Sequence, residues 1–254
     1  MILIDTHTHL YSSEFDTDRD EMMQRALAKG VQHFFVPAID STYFQGMQQI
    51  KQQYPAQVHL MMGLHPCHVK PETYTQEMDF VLQELTKGSY CAVGEIGVDL
   101  YWDKTTLALQ QEAFRQQIRW AKQFDLPINI HCRDAFAETF EVLEQEGGAS
   151  GIFHCFTGNL EQAQHAINLG LKLGIGGVAT FKNGKIDQFL NQIPLEHLVL
   201  ETDAPYLAPA PNRGKRNESA YVALVAEKLA TIYQVSVEEI AQQTTKNALK
   251  IFKL

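Results

Sequence analysis

Cysteine is scarce in this chain, and what there is does not pair up. Cys67, Cys91, Cys132 and Cys155 form no C-x-x-C motif, so neither a thiol redox pair nor a thiolate zinc cage is expected. No stretch of about eighteen apolar residues occurs, which excludes a membrane-spanning helix. The first residues show no basic region, no long apolar run and no small-residue cleavage pattern. No signal peptide is therefore expected, and the thiols are expected to stay reduced in a cytoplasm. Positive charge is short as well: 21 Lys and Arg against 30 Asp and Glu leave a net charge of -9. That balance speaks against a protein that coats nucleic acid by general electrostatics, though not against an enzyme that engages phosphates locally. Linkers, low-complexity tracts and internal repeats are missing too.

What is present is an ordinary globular composition, 45% hydrophobic and 20% charged over 254 residues. This length suits one sizeable core, so a single domain over residues 1–254 is expected. Short apolar runs alternate with amphipathic stretches along the whole chain. Strands are expected near Ile2–Asp5, His33–Pro37, Val58–Gly63, Cys91–Glu95, Pro127–His131, Gly151–His154, Leu171–Ile175 and Leu198–Glu201. Between them, Leu109, Ala113, Phe114, Ile118, Ala121 and Phe124 recur at helical spacing. Ser236 followed by Glu239 is a capping box that opens a last helix through Leu249. Strands alternating with helices imply a parallel sheet with right-handed crossovers, and eight such units give a (β/α)₈ TIM barrel of the α/β class. An open doubly wound sheet would instead carry a glycine-rich phosphate turn after its first strand. Here that place is taken by His7 and His9.

Barrel enzymes carry their chemistry at the carboxyl ends of the strands. Those ends read DTHTH, GLHP, GEIGVD, HCRDA, HCFTG and ETDAP, and supply His7, His9, His65, Glu95, His131, His154, Glu201 and Asp203. Side chains alternate along a strand, so His131 and Arg133 share a face while Cys132 points toward the helices. Glu201 and Asp203 are set against Thr202 in the same way. Neutral imidazole and carboxylate are the usual ligands of zinc and similar divalent ions. A single histidine at a strand end is a weak sign, and Glu95 alone can be a buried acid paired with Arg133. Six such residues on five strand ends in one barrel frame indicate a metal site.

With these residues placed, the chain resembles the TatD family of metal-dependent hydrolases, a branch of the amidohydrolase-like barrels. The motifs DTHTHL, GLHP, GEIGVDLYWDK, HCRDA, HCFTG, LETDAPYLAP and NRGKRN occur in the family's order over nearly the whole length. The resemblance implies a nuclease, chiefly a deoxyribonuclease, that cleaves DNA or another phosphate-bearing substrate with a hydroxide activated by two divalent metals. It implies that His7 and His9 bind one ion with help from Asp203, that Glu95 bridges, and that His131 and His154 hold the second. Zinc or manganese suits the histidines, and magnesium is the alternative. Asp203 is the candidate general base, and Glu201 is expected to orient a ligand histidine. His65 and Arg133 are candidate substrate contacts, as are Arg213 and Lys215 in the basic loop after the last strand. Arg133 has as its other option a pairing with Asp134 or Glu201. Phe156, Tyr101, Trp102 and Tyr206 are candidates for stacking on bases. Tyr11 stands where the family often has Asp, and Ser219 where it often has Pro; neither is expected to touch a proposed ligand. The rival activities are a dinuclear amidase or esterase, an aminoacyl-tRNA deacylase, and a metal-bound module without catalysis. No oligomeric state is implied, and a monomer is compatible with everything here.

Overall fold

In a computed structural model describing residues 1–254, the eight strands form one parallel sheet in sequence order. They are β1 (Leu3–Asp5), β2 (Val31–Val36), β3 (Val58–Met62), β4 (Ala92–Asp99), β5 (Ile128–Arg133), β6 (Gly151–Phe153), β7 (Leu171–Ile175) and β8 (Leu198–Leu200). The helices are α1 (Arg19–Ala28), α2 (Phe44–Gln53), α3 (Tyr74–Thr86), α4 (Leu107–Gln123), α5 (Phe136–Gln145), α6 (Leu160–Asn168), α7 (Val222–Tyr233) and α8 (Val237–Phe252). Each expected strand is present. The α4 helix covers the expected apolar period. Ser236 caps α8 by accepting the N–H of Glu239 at 3.1 Å.

Two elements differ from expectation. β4 runs on past Glu95 to Asp99, every residue buried. Gly97 makes this continuation feasible: its φ is 146°, and a Cβ there would lie 1.9 Å from the carbonyl oxygen of His131. Only glycine lets β4 pass that close to β5. The β7-to-β8 crossover also contains no α-helix, only short 3₁₀ turns. Gly176, Gly177, Asn183, Gly184 and Pro194 punctuate that segment too often for a helix to propagate.

The barrel interior is filled by Ile4, Phe35, Met61, Ala92, Ile152 and Val199. From below, Phe252 of α8 stacks on Phe35 with ring centroids 3.6 Å apart. The carboxyl-terminal mouth is the part left for polar groups. Closure between β1 and β8 happens just beyond the strands, where Thr6 N–H donates to Leu200 O (3.0 Å), Asp203 N–H to His7 O (2.9 Å) and His9 N–H to Ala204 O (2.8 Å). The seam of the barrel is therefore made by the same backbone that carries His7, His9 and Asp203.

Candidate metal centre

β1 stops at Asp5, and the chain bends at Thr6 and His7. The bend breaks the simple alternation that would put Asp5, His7 and His9 on one face. Asp5 turns to Thr202, accepting its backbone N–H at 2.9 Å and its hydroxyl at 2.6 Å. Burial drives the Asp5 carboxyl up to about 7. His7 goes into the mouth, where it stacks on His154 with centroids 3.4 Å apart.

Four ligand atoms from three separate segments converge there. His7 Nε2 lies 3.3 Å from His9 Nε2, 3.2 Å from Glu95 Oε2 and 3.7 Å from Asp203 Oδ1. His9 Nε2 is 3.8 Å from Glu95 Oε2 and 3.3 Å from Asp203 Oδ1. A tetrahedral ion with bonds of ~2.0–2.2 Å spaces its ligand atoms by about 3.3–3.6 Å, so the set has the size of a metal cage. Proton bookkeeping agrees. Tyr11 gives its hydroxyl proton to Pro37 O at 2.9 Å, so its oxygen must accept from His9 Nδ1 at 2.8 Å. Asn129 Oδ1 accepts from His7 Nδ1 at 2.8 Å. In the neutral rings both Nε2 atoms therefore bring bare lone pairs toward two carboxylate oxygens, an arrangement of acceptors that a cation would complete.

The other oxygen of Glu95 serves a second cluster. Glu95 Oε1 is 2.8 Å from His131 Nδ1, 3.4 Å from His65 Nε2 and 3.9 Å from His154 Nε2. The register of β4 on β5 shifts between Val93 and Ile96, and this irregularity brings Glu95 to the point between the clusters. Burial alone would raise its carboxyl, but the histidines around it, the cationic His131 and the N–H of His65 among them, hold it well below the usual carboxylate range. Burial likewise disfavours charge on His131, yet Asp99 and Glu95 push that imidazole up to about 9. His154 goes up to about 10, against the effect of burial, because Glu201 and Asp203 face it.

Each of these four histidines has its outward nitrogen beside an acceptor, the arrangement that fixes a metal-binding ring. His131 Nε2 meets Asp99 Oδ2 at 2.8 Å. His154 Nδ1 lies 3.0 Å from Glu201 Oε1, at an angle short of a hydrogen bond. Glu201 is fully buried behind that ring and also accepts the Cys155 N–H at 2.7 Å. Its carboxylate fits because residue 174 is glycine; a Cβ there would stand 2.1 Å from Glu201 Oε2. Thus Glu201 is placed to position His154, with no path of its own to a substrate.

His65 differs from the other histidines. Its Nδ1 accepts the backbone N–H of Cys67 at 3.1 Å. Burial lowers its pKa to about 4, so the ring is neutral at pH 7 and its one proton sits on Nε2. With Nδ1 held as an acceptor, Nε2 could lose that proton only by leaving the ring anionic, so His65 faces the cluster as a hydrogen-bond donor.

The remaining candidates sit farther out. Arg133 pairs with neither Asp134 nor Glu201; its guanidinium lies over the Tyr101 ring, 3.7 Å from the centroid. Arg213 lies over Phe181 and donates to Asn183 Oδ1 at 3.1 Å. Lys215 is exposed. Their neighbour Arg216 is tied to Asp18 by two bonds of 2.6 and 2.7 Å. Phe156 is buried at 2% exposure, so it is packing and stacks on no substrate. Tyr11 is a second correction: it does touch a proposed ligand, His9. Sequence reasoning missed Asp99, Asn129 and this role of Tyr11. Alternate positions 95, 97 and 99 of β4 were the available signal for Asp99. We expect Tyr11→Phe, which strands the His9 Nδ1–H, to weaken metal binding by ~10–100-fold in a chelator competition titration. An unchanged affinity would show that His9 needs no such anchor.

Comparison with known proteins places this geometry in a family. The profile described as TatD related DNase matches residues 4–253. An uncharacterized metal-dependent hydrolase, YabD of Bacillus subtilis (strain 168), is 38% identical, with 100% of both chains covered. A protein from Pantoea vagans (strain C9-1) named 3'-5' ssDNA/RNA exonuclease TatD is 31% identical, covering 99% of this chain and 100% of its own. The crystal structure of YjjV, a TatD homolog from Escherichia coli K12, superposes with a TM-score of 0.89 at 30% identity, covering 99% of this chain and 98% of the other.

Proposed function

The chain belongs to the TatD-related DNase family, and from that premise we propose that it is a metal-dependent deoxyribonuclease that hydrolyses phosphodiester bonds. The observation that carries this function is the meeting of two donor clusters on one carboxylate, Glu95, with His7 and His9 at one oxygen and His131 and His154 at the other. His7, His9, Asp203 and Glu95 would hold one ion, and His131, His154 and Glu95 a second. Two divalent ions so held would supply Lewis acidity toward a phosphodiester and make water a competent nucleophile near neutral pH. Zinc or manganese matches the histidine donors, with magnesium as the alternative.

The chain's own groups take the other parts. Asp203, the ligand-set carboxylate open to the mouth with 15% of its side chain exposed, accepts the proton of the attacking water. His65 donates its Nε2–H to a phosphate or leaving oxygen. Arg133, Arg213 and Lys215 engage the polyanion locally, which an acidic protein requires. No helix is long and apolar enough to cross a membrane. A cytoplasmic location is part of this reading, and the four free cysteines suit a reducing compartment.

The decisive experiment offers purified protein of measured metal content to single-stranded DNA, RNA, aminoacyl-tRNA and simple esters. Metal-dependent DNA cleavage that stops on chelation is expected. Ester or aminoacyl hydrolysis without phosphodiester cleavage would replace this function with that of a carbonyl hydrolase, and bound metal without any hydrolysis would leave a binding module. For the basic loop, Arg213→Ala and Lys215→Ala should each raise KM for oligonucleotides and flatten the salt slope by about 1. An unchanged slope removes the pair from the substrate path.

A further inference from the structure

Large apolar or aromatic side chains are exposed at the two chain termini, through Met1, Ile2 and Leu254, and otherwise only on the mouth loops. There they are Tyr43 after β2, Tyr101 and Trp102 after β4, and Tyr206 and Leu207 after β8. A soluble surface keeps such groups apart from water unless they have something to meet. Three features single out the β4 loop. Tyr101 is 52% and Trp102 68% exposed, and their rings meet edge to face at 4.9 Å. Arg133, two residues beyond His131 on β5 and paired in register with Asp99, lies over Tyr101 at 3.7 Å and is 5.4 Å from the centre of Trp102. The loop is also rigidly held. Asp99 Oδ1 accepts the N–H groups of Tyr101 and Trp102, both at 2.9 Å, while Gln110 Oε1 accepts the Asp99 N–H at 2.8 Å. The second oxygen of Asp99 is the one that meets His131. A single buried carboxylate therefore fixes the metal-facing histidine and the aromatic pair with respect to each other.

We propose that Tyr101, Trp102 and Arg133 form a base-binding platform, on which an unpaired nucleobase of the substrate strand stacks beside the phosphate being cleaved. Aromatic faces accept any base, and an arginine next to them meets the adjoining phosphate, so the platform selects for single-stranded character over sequence. A base inside a duplex has no free face to offer. The platform presupposes the nuclease function of the same site, and it adds the residues that hold the strand.

The protein carries its own reporter, since Trp102 is exposed and the other tryptophan, Trp120, is 7% exposed. The test titrates metal-loaded protein with a nuclease-resistant phosphorothioate thymidine octamer, the uridine equivalent, a duplex, and an abasic octamer of equal charge. Both single strands are expected to quench tryptophan emission, and the duplex and abasic strands are not. By anisotropy of labelled strands, Trp102→Ala should weaken the thymidine octamer about tenfold without changing the abasic one, and Trp102→Phe should restore most of the loss. Equal weakening of both strands, no weakening of either, or binding that leaves the emission unchanged would overturn the platform. Natural thymidine octamer run in parallel separates the two claims. Quenching without cleavage removes the nuclease function and keeps a base-binding surface; cleavage without quenching removes the platform and keeps the nuclease.

Discussion

Asp203→Asn, assayed with metal in excess, is expected to lower turnover by ~10²–10⁴-fold, the range in which a positioned proton acceptor contributes. Asn keeps the size of the side chain and an oxygen for the donor set, so saturating metal separates lost basicity from lost affinity. Asp203 is held where a base is needed. Its φ of 59° lies in the left-handed region that Asp tolerates better than most residues, and its N–H is fixed to His7 O at 2.9 Å. Burial would raise its carboxyl, but the charge on His154, with His9 and His7 also facing it, brings it below the ordinary value. Turnover of Asp203→Asn within a few-fold of the native enzyme would remove Asp203 from the proton-transfer step.

The parts of this site that were legible in the sequence are those set by strand periodicity. Strand order, the barrel and the crowding of His7, His9, Glu95, His131, His154 and Asp203 at one mouth all follow from the carboxyl-end rule and parity. Periodicity fails where backbone departs from it. Gly97 reads as a strand breaker, yet it is what carries β4 on to Asp99, so the anchor of His131 fell outside the expected strand. The bend at Thr6 and His7 separates Asp5 from the histidines that follow it. Tautomers are invisible for another reason. The donor role of His65 is decided by one backbone N–H, that of Cys67, in the turn after it. Long side chains are least legible of all: Arg133 chose an aromatic ring over either acid proposed for it, a choice fixed by the loop after the neighbouring strand.

Metal uptake should release protons and depend steeply on pH. Without an ion, burial opposes charge on both rings, yet their carboxylate partners hold His131 at about 9 and His154 at about 10, so both are cationic at pH 7. A divalent ion takes only neutral imidazole, and about two protons must leave for the second cluster to fill. Apparent affinity should therefore rise about a hundredfold per pH unit up to about pH 9, about tenfold per unit from there to about pH 10, and then flatten. Stability carries the opposite sign in the chelated protein. Both rings titrate above the unfolded value of about 6.5, so their stabilisation is complete below that pH and is lost as pH climbs through about 9 and about 10. The loaded protein has no such protons to lose. Asp5, raised to about 7 by burial, weakens both forms alike as pH rises and cancels in the comparison. The gap in Tm between loaded and chelated protein should thus widen from pH 6.5 to 9.5. Calorimetric titrations in buffers of different ionisation enthalpy count the protons directly, and release of none would show that His131 and His154 are neutral before the ions arrive.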